Sequence, residues 1–142
     1  MTKETNPPDD SFPASETFVD CCGKPHEFAL DLLVTPSGYF VRATERVSTG
    51  EGYAFAAHSE TGPYLALGRL RGKIQKGLAT RYLAVGEPEP RLGHDVAVGH
   101  IAYGGVVVDG RYLTFDEPAG ILSTHEGWQF KLQVADPYDT FL

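Results

Sequence analysis

Hydrophobic and polar residues alternate along several short segments, which is the pattern of half-buried β-strands. The segments 28–34, 39–46 and 53–57 follow one another with turn residues between them, so we predict three antiparallel strands in a meander. Further along, apolar residues flank Asp109-Gly110, a pair that tolerates the positive φ angles of a tight turn. This arrangement predicts a β-hairpin.

The C-terminal part repeats the alternation after a helical segment. A short helix is predicted over residues 115–125. Every second residue is then large and apolar, namely Trp128, Phe130, Leu132 and Val134. We predict that these residues form a last strand whose apolar face joins the core.

Between residues 62 and 83 the spacing of apolar residues lengthens to three or four, the period of an α-helix. The residues at this spacing are Leu67, Leu70, Ile74, Leu78 and Tyr82. We therefore predict an α+β fold: a mostly antiparallel sheet of about five to seven strands, one long amphipathic helix packed on its face, and a short helix before the last strand.

The distribution of turn-forming and polar residues predicts the domain limits. Residues 1–17 contain three prolines and few large apolar groups, so we predict a disordered N-terminal arm. Residues 18–137 are predicted to form a single α+β domain, and residues 138–142 a C-terminal tail.

Composition narrows the classes of function. The formal charge of -7 disfavours non-specific binding to nucleic acid or to an anionic membrane. No segment approaches the roughly 18 consecutive apolar residues of a membrane span, and the N-terminus lacks the apolar segment of a signal peptide. The only two cysteines are adjacent, which fits a reducing compartment. We expect a soluble, cytoplasmic protein.

Several short motifs lie between roughly residues 20 and 136. The most specific is the run Glu126-Gly127-Trp128-Gln129-Phe130-Lys131-Leu132. Weaker pieces are Cys22-Gly23-Lys24-Pro25-His26-Glu27-Phe28, Gly52-Tyr53, Gly68-Arg69-Leu70, Gly77-Leu78-Ala79 and Asp109-Gly110-Arg111. Through these motifs the chain resembles a family of small bacterial proteins of unknown function. The resemblance implies a folded unit of this size and supplies no activity.

Two thiols and an imidazole lie within six residues at Cys21, Cys22 and His26. These are ligand types that zinc prefers, so this cluster is the candidate metal site. Structural zinc usually takes four ligands, and the fourth would come from His94, His100 or His125. The alternatives are simple packing of the cysteines and a reactive thiol.

A basic stripe on the predicted helix is the second candidate surface. Arg69, Lys73 and Lys76 share one face, where they could contact an acidic partner or carry ordinary surface charge. The acidic balance of the chain makes nucleic acid the less favoured partner.

These features favour a non-enzymatic binding or interaction module whose partner is another protein. No combination of acid, base and nucleophile stands out, and we assign no catalytic residue and no cofactor. One alternative is a small zinc-binding protein that uses Cys21, Cys22 and His26, and another is a hydrolase with an unfamiliar signature. The oligomeric state is left open.

Overall fold

The computed structural model describes residues 12–48, 52–83 and 96–139. Seven strands and two helices lie within these ranges. In chain order they are β1 (Ser15–Val19), β2 (Pro25–Thr35), β3 (Gly38–Glu45), β4 (Ala54–Ser59), α1 (Pro63–Ala79), β5 (Gly99–Ala102), β6 (Gly105–Val108), β7 (Arg111–Thr114) and α2 (Asp116–Ser123).

The first four strands form an antiparallel sheet in the order β1-β2-β3-β4. The period-two pattern of the sequence places Phe28 and Leu30 of β2 beside Ala43 and Val41 of β3 on one face, where all four are buried. The predicted meander of three strands is confirmed as β2, β3 and β4.

Helix α1 packs its apolar stripe on this face of the sheet. Its buried residues are Ala66, Leu67, Leu70, Ile74 and Leu78. The helix ends at Ala79, before the predicted limit of residue 83, because Thr80 takes an extended conformation. The predicted α+β class is confirmed, and no helix of the described residues is long and apolar enough to span a membrane.

Strands β5, β6 and β7 form a second antiparallel sheet, so the single sheet that the sequence predicted is divided into two. The hairpin around Asp109-Gly110 is confirmed, with φ angles of 57° and 75° at these two residues. Helix α2 packs on β7. Among the described residues, the buried apolar residues of this unit are few: Leu83, Val107, Val108, Leu113 and Ile121.

The predicted last strand is wrong. Residues 128–136, which we call the strap, form neither helix nor strand. Trp128, Phe130, Leu132 and Val134 are between 69% and 85% exposed and do not join the core. Alternation of side chains does not show whether another strand lies alongside to pair with the segment. None of the described strands pairs with the strap.

The predicted arm begins to be ordered earlier than its composition indicates. Residues 15–17 lie in β1, and the Phe12 ring packs against that of Tyr64 with centroids 5.5 Å apart. A prediction from composition considers only the residues of the segment and not their contacts with the rest of the chain. Here the segment pairs with β2, and Glu16 forms an ion pair with Arg71 of α1. Residues 1–11 lie outside the described residues.

The two units meet at the turn of the second sheet. The buried Asp109 carboxylate accepts hydrogen bonds from the backbone N–H groups of Tyr82 (3.0 Å) and Leu83 (2.8 Å), just beyond α1. A Cβ atom at Gly110 would lie 2.7 Å from the Tyr53 ring of the first unit. The Asp-Gly turn therefore both closes the hairpin and packs on the first unit.

Two glycines of α1 provide a matched test of how closely this helix packs on β4. A Cβ atom at Gly77 would lie 2.7 Å from the Phe55 ring, whereas one at Gly72 would meet nothing within 4 Å. We expect Gly72→Ala to raise the free energy of unfolding by up to about 1 kcal/mol, because alanine favours the helix. Gly77→Ala should lower it by roughly 1–3 kcal/mol through overpacking. Urea unfolding measures both, and equal gains in the two variants would contradict the packing of β4 on α1.

Candidate functional site

A buried histidine lies between two carboxylates at one end of the first sheet. His26 is the second residue of β2 and is 8% exposed. Its Nδ1 lies 2.6 Å from Oε2 of Glu45, and its Nε2 lies 2.8 Å from Oδ2 of Asp20. The side chains of Asp20 and Glu45 are 4% and 10% exposed. We call these three residues the His26 clasp.

Asp20 also organises the turn between β1 and β2, residues 20–24, which we call the cysteine turn. Its Oδ1 accepts the backbone N–H groups of Cys22 (2.8 Å) and Lys24 (3.0 Å). The hydrogen bond from His26, followed by that from Lys24, lowers the pKa of Asp20 to about 2. This carboxylate is therefore charged over the whole physiological range.

Glu45 connects the clasp to the strand that follows. Its Oε1 accepts the backbone N–H of Tyr53 at 3.0 Å, and the Tyr53 ring meets His26 edge to face with centroids 5.4 Å apart. Burial, followed by the charge of Asp109, raises the pKa of Tyr53. The phenol therefore stays neutral and acts as an aromatic wall over the imidazole.

The clasp is a structural arrangement and does not present a general base. Both ring nitrogens of His26 face carboxylate oxygens, which can only accept hydrogen bonds when ionised. Both ring nitrogens are therefore engaged within the fold, and neither is left to take a proton from a substrate. The clasp ties the cysteine turn to the ends of β2 and β3.

The two cysteines are free and exposed on the cysteine turn. Their Sγ atoms lie 3.8 Å apart. Partial desolvation, and next the neighbouring thiol of Cys22, raise the pKa of Cys21. An activated nucleophile requires the opposite shift, so the raised pKa gives no support to Cys21 as the nucleophile of a hydrolase.

The structure brings Cys21, Cys22 and His26 to one turn but engages His26 elsewhere. A zinc ion held by all three residues would have to take one imidazole nitrogen from a carboxylate. Within the described ranges, no group of three or more histidine, cysteine or acidic side chains is arranged to hold a metal ion. The zinc assignment therefore stays a prediction.

The proposed donors of a fourth zinc ligand lie apart from the cysteine turn in the sequence. His94 falls outside the described residues. His100 lies in β5, and His125 follows α2, where its Nδ1 contacts the Thr124 hydroxyl at 3.0 Å and its ring packs on Trp128.

The basic stripe of α1 stabilises the free edge of β4. The guanidinium of Arg69 donates to the carbonyl of His58 at 2.8 Å, and Lys73 Nζ donates to that of Ala56 at 2.7 Å. Burial, partly offset by Asp139, lowers the pKa of Lys73. Two cations of the predicted interaction face thus satisfy edge carbonyls, while Lys76 is exposed.

Sequence reasoning missed the two carboxylates of the clasp. Asp20 is six residues before His26, and Glu45 is 19 residues after it, on the neighbouring strand. Neither spacing is a motif. Only the register of β2 on β3, which pairs Phe28 with Glu45, brings the last carboxylate to this end of the sheet.

These features define an α+β protein of two units joined by the Asp109 turn. Residues 10–79 match Domain of unknown function (DUF7686), and residues 82–139 match Domain of unknown function (DUF7713). The chain thus carries two domains of unknown function, whose limits enclose the first sheet with α1 and the second sheet with α2. No curated protein and no solved structure matches the chain.

The clasp predicts a specific dependence of stability on pH. The folded pKa of Asp20 is about 2, below the ordinary value of 3.8, so its contribution is complete above pH 4 and is lost as the pH falls toward 2. We expect the free energy of unfolding to fall across this window in the natural protein and to fall less in Asp20→Asn.

Urea unfolding at successive pH values between 5 and 2 measures this effect. Glu60→Gln is the control, because Glu60 is an exposed acid outside the clasp. It should leave the acid dependence unchanged. An Asp20→Asn variant with the same acid dependence as the natural protein would show that Asp20 is not held by His26.

Proposed function

We propose that the chain is a non-enzymatic interaction module that binds another protein through the strap. The observation that carries this proposal is the exposure of four alternating apolar side chains, Trp128, Phe130, Leu132 and Val134. Full burial of one such side chain contributes about 1.5–3 kcal/mol, so covering several of them supplies a useful binding energy. Several exposed large apolar side chains in one short segment favour an interaction site.

The ends of the strap are anchored, which limits the entropy lost on binding. At its start, the N–H of Trp128 donates to the carbonyl of His125 at 2.9 Å. Beyond its other end, Lys73 Nζ donates to the carbonyl of Asp139 at 2.7 Å, and the Tyr138 ring packs on Phe40 with centroids 5.1 Å apart. The strap is therefore held in place as a bridge from α2 to the first unit.

The backbone of the strap supports a specific mode of binding. Between residues 129 and 135, no backbone group hydrogen-bonds to the backbone of another described residue. A segment whose backbone groups have no partner among the described residues is available to pair with a strand of another protein, and its alternating apolar side chains would then share one face. Backbone bonds would supply affinity, and the apolar side chains would supply specificity.

Charge supports a protein as the partner. The strap contains one basic residue, Lys131, and the whole chain carries a formal charge of -7, so it offers little attraction to phosphates.

We further propose that the protein is soluble and cytoplasmic. The resemblance to small bacterial proteins depends mainly on the Glu126–Leu132 run, which overlaps the strap. We therefore also propose that the source of the protein is bacterial.

Two double variants test the proposal. Phe130→Glu with Leu132→Glu changes the apolar face, whereas Gln129→Glu with Gln133→Glu adds the same charge to the alternate positions. Proteins captured from cell extract by the natural chain are purified, and their affinities for the three chains are compared by calorimetry. We expect the apolar pair to weaken binding by about 100-fold or more, roughly 3 kcal/mol, and the polar pair to change it little.

Both double variants should keep the stability of the natural chain to within about 0.5 kcal/mol per site, because the substituted side chains are exposed. Equal binding by the two variants would contradict the proposal. Unfolding caused by the apolar pair alone would show that the strap belongs to the core of the protein and is not a binding surface.

A further inference from the structure

We propose that Cys21 and Cys22 form a two-thiolate site for a soft metal ion of low coordination number, Cu⁺ being the representative. Thiolates select soft ions, and a site with only two protein ligands suits an ion that does not require four. This assignment is independent of the proposed interaction of the strap. It differs from a zinc site that includes His26 in using sulfur ligands alone.

The distance between the sulfur atoms fits a shared ion. Cys21 Sγ and Cys22 Sγ lie 3.8 Å apart, and both residues are exposed. Two thiolates bound to one ion at the zinc–sulfur distance of about 2.3 Å stand about 3.8 Å apart at a tetrahedral angle. A slightly shorter metal–sulfur bond gives an angle close to trigonal at the same separation. The separation therefore suits an ion that also takes a third ligand from outside the turn, because two thiolates alone would bind Cu⁺ in a line and would stand farther apart.

The cysteine turn is held in place by hydrogen bonds of both its side chains and its backbone. Besides the two bonds to Asp20 Oδ1, the N–H of Asp20 donates to the carbonyl of Lys24 at 2.9 Å, and the N–H of Gly23 donates to that of Asp20 at 3.1 Å. The N–H of Cys21 donates to the carbonyl of Leu78 near the end of α1 at 3.0 Å. Such a fixed backbone lowers the entropy that metal binding must overcome.

The neighbouring side chains with ligand atoms are already engaged. Both nitrogens of His26 face the clasp carboxylates, and Asp20 uses Oδ1 for the turn and Oδ2 for His26. Further ligands of a bound ion would therefore come from outside these residues. Cys21 also lines an open cleft of about 400 Å³ between β1 and α1, through which an external thiol could approach the ion.

Binding is a ligand exchange without electron transfer. Each thiol loses its proton as its sulfur forms a bond to Cu⁺, the ligands that carried the ion are released, and two protons pass to the buffer. Because each thiol releases its proton when its sulfur binds the ion, the apparent affinity should increase with pH.

The test uses the full-length chain and Cu⁺ under anaerobic conditions, with bicinchoninate as the competing chelator. We expect the natural chain to take one Cu⁺ from the chelator. Cys21→Ser and Cys22→Ser should each lower the affinity for Cu⁺ by more than about 100-fold. Loss of a residue that only supports a metal ligand costs about 10- to 100-fold, and loss of a ligand should cost more. The variant that carries both Cys21→Ser and Cys22→Ser has no thiol, because these are the only cysteines of the chain, and it serves as the background control.

X-ray absorption of the copper-loaded natural chain distinguishes the ligand sets. We expect sulfur neighbours and no imidazole scattering. Imidazole in the spectrum would overturn the two-thiolate assignment. Failure of the natural chain to compete with bicinchoninate, or serine variants that bind as tightly, would overturn the site itself.

Discussion

The buried imidazole of His26 between Asp20 and Glu45 is the interaction on which one end of the molecule depends. Burying charged groups costs several kcal/mol per ion unless they are paired and fully hydrogen-bonded. Here the carboxylates meet that condition, because Asp20 accepts two backbone N–H groups of the cysteine turn and Glu45 accepts that of Tyr53. The pairing thus fixes the turn that carries Cys21 and Cys22 relative to β2 and β3.

Apolar burial is distributed unequally between the two units. The first sheet and α1 enclose a large core, whereas five apolar residues are buried in the described part of the second unit. A three-stranded sheet with so small a core gains stability from contacts beyond itself. Asp109, Gly110 and the segment anchored by Lys73 supply those contacts, while the apolar side chains of the strap are left in solvent.

The sequence predicts what local interactions determine. The meander, α1 and the Asp109-Gly110 hairpin follow from periodicity and from turn residues, and all three are present. The clasp depends on strand register over 19 residues, which spacing does not reveal, so Asp20 and Glu45 were missed. Residues 128–134 do alternate between apolar and polar side chains. A strand also needs a neighbouring strand to pair with, and a local pattern does not show whether one is present.

Amide hydrogen exchange of the native chain, resolved by residue with NMR, tests most directly whether the clasp fixes the cysteine turn. We expect slow exchange at Cys22 and Lys24, whose N–H groups donate to the buried Asp20 carboxylate. We expect fast exchange at the strap residues Gln129 to Gln133, which have no backbone partner among the described residues. Exchange at Cys22 and Lys24 as fast as in the strap would show that the turn opens independently of the clasp and would contradict its dependence on His26.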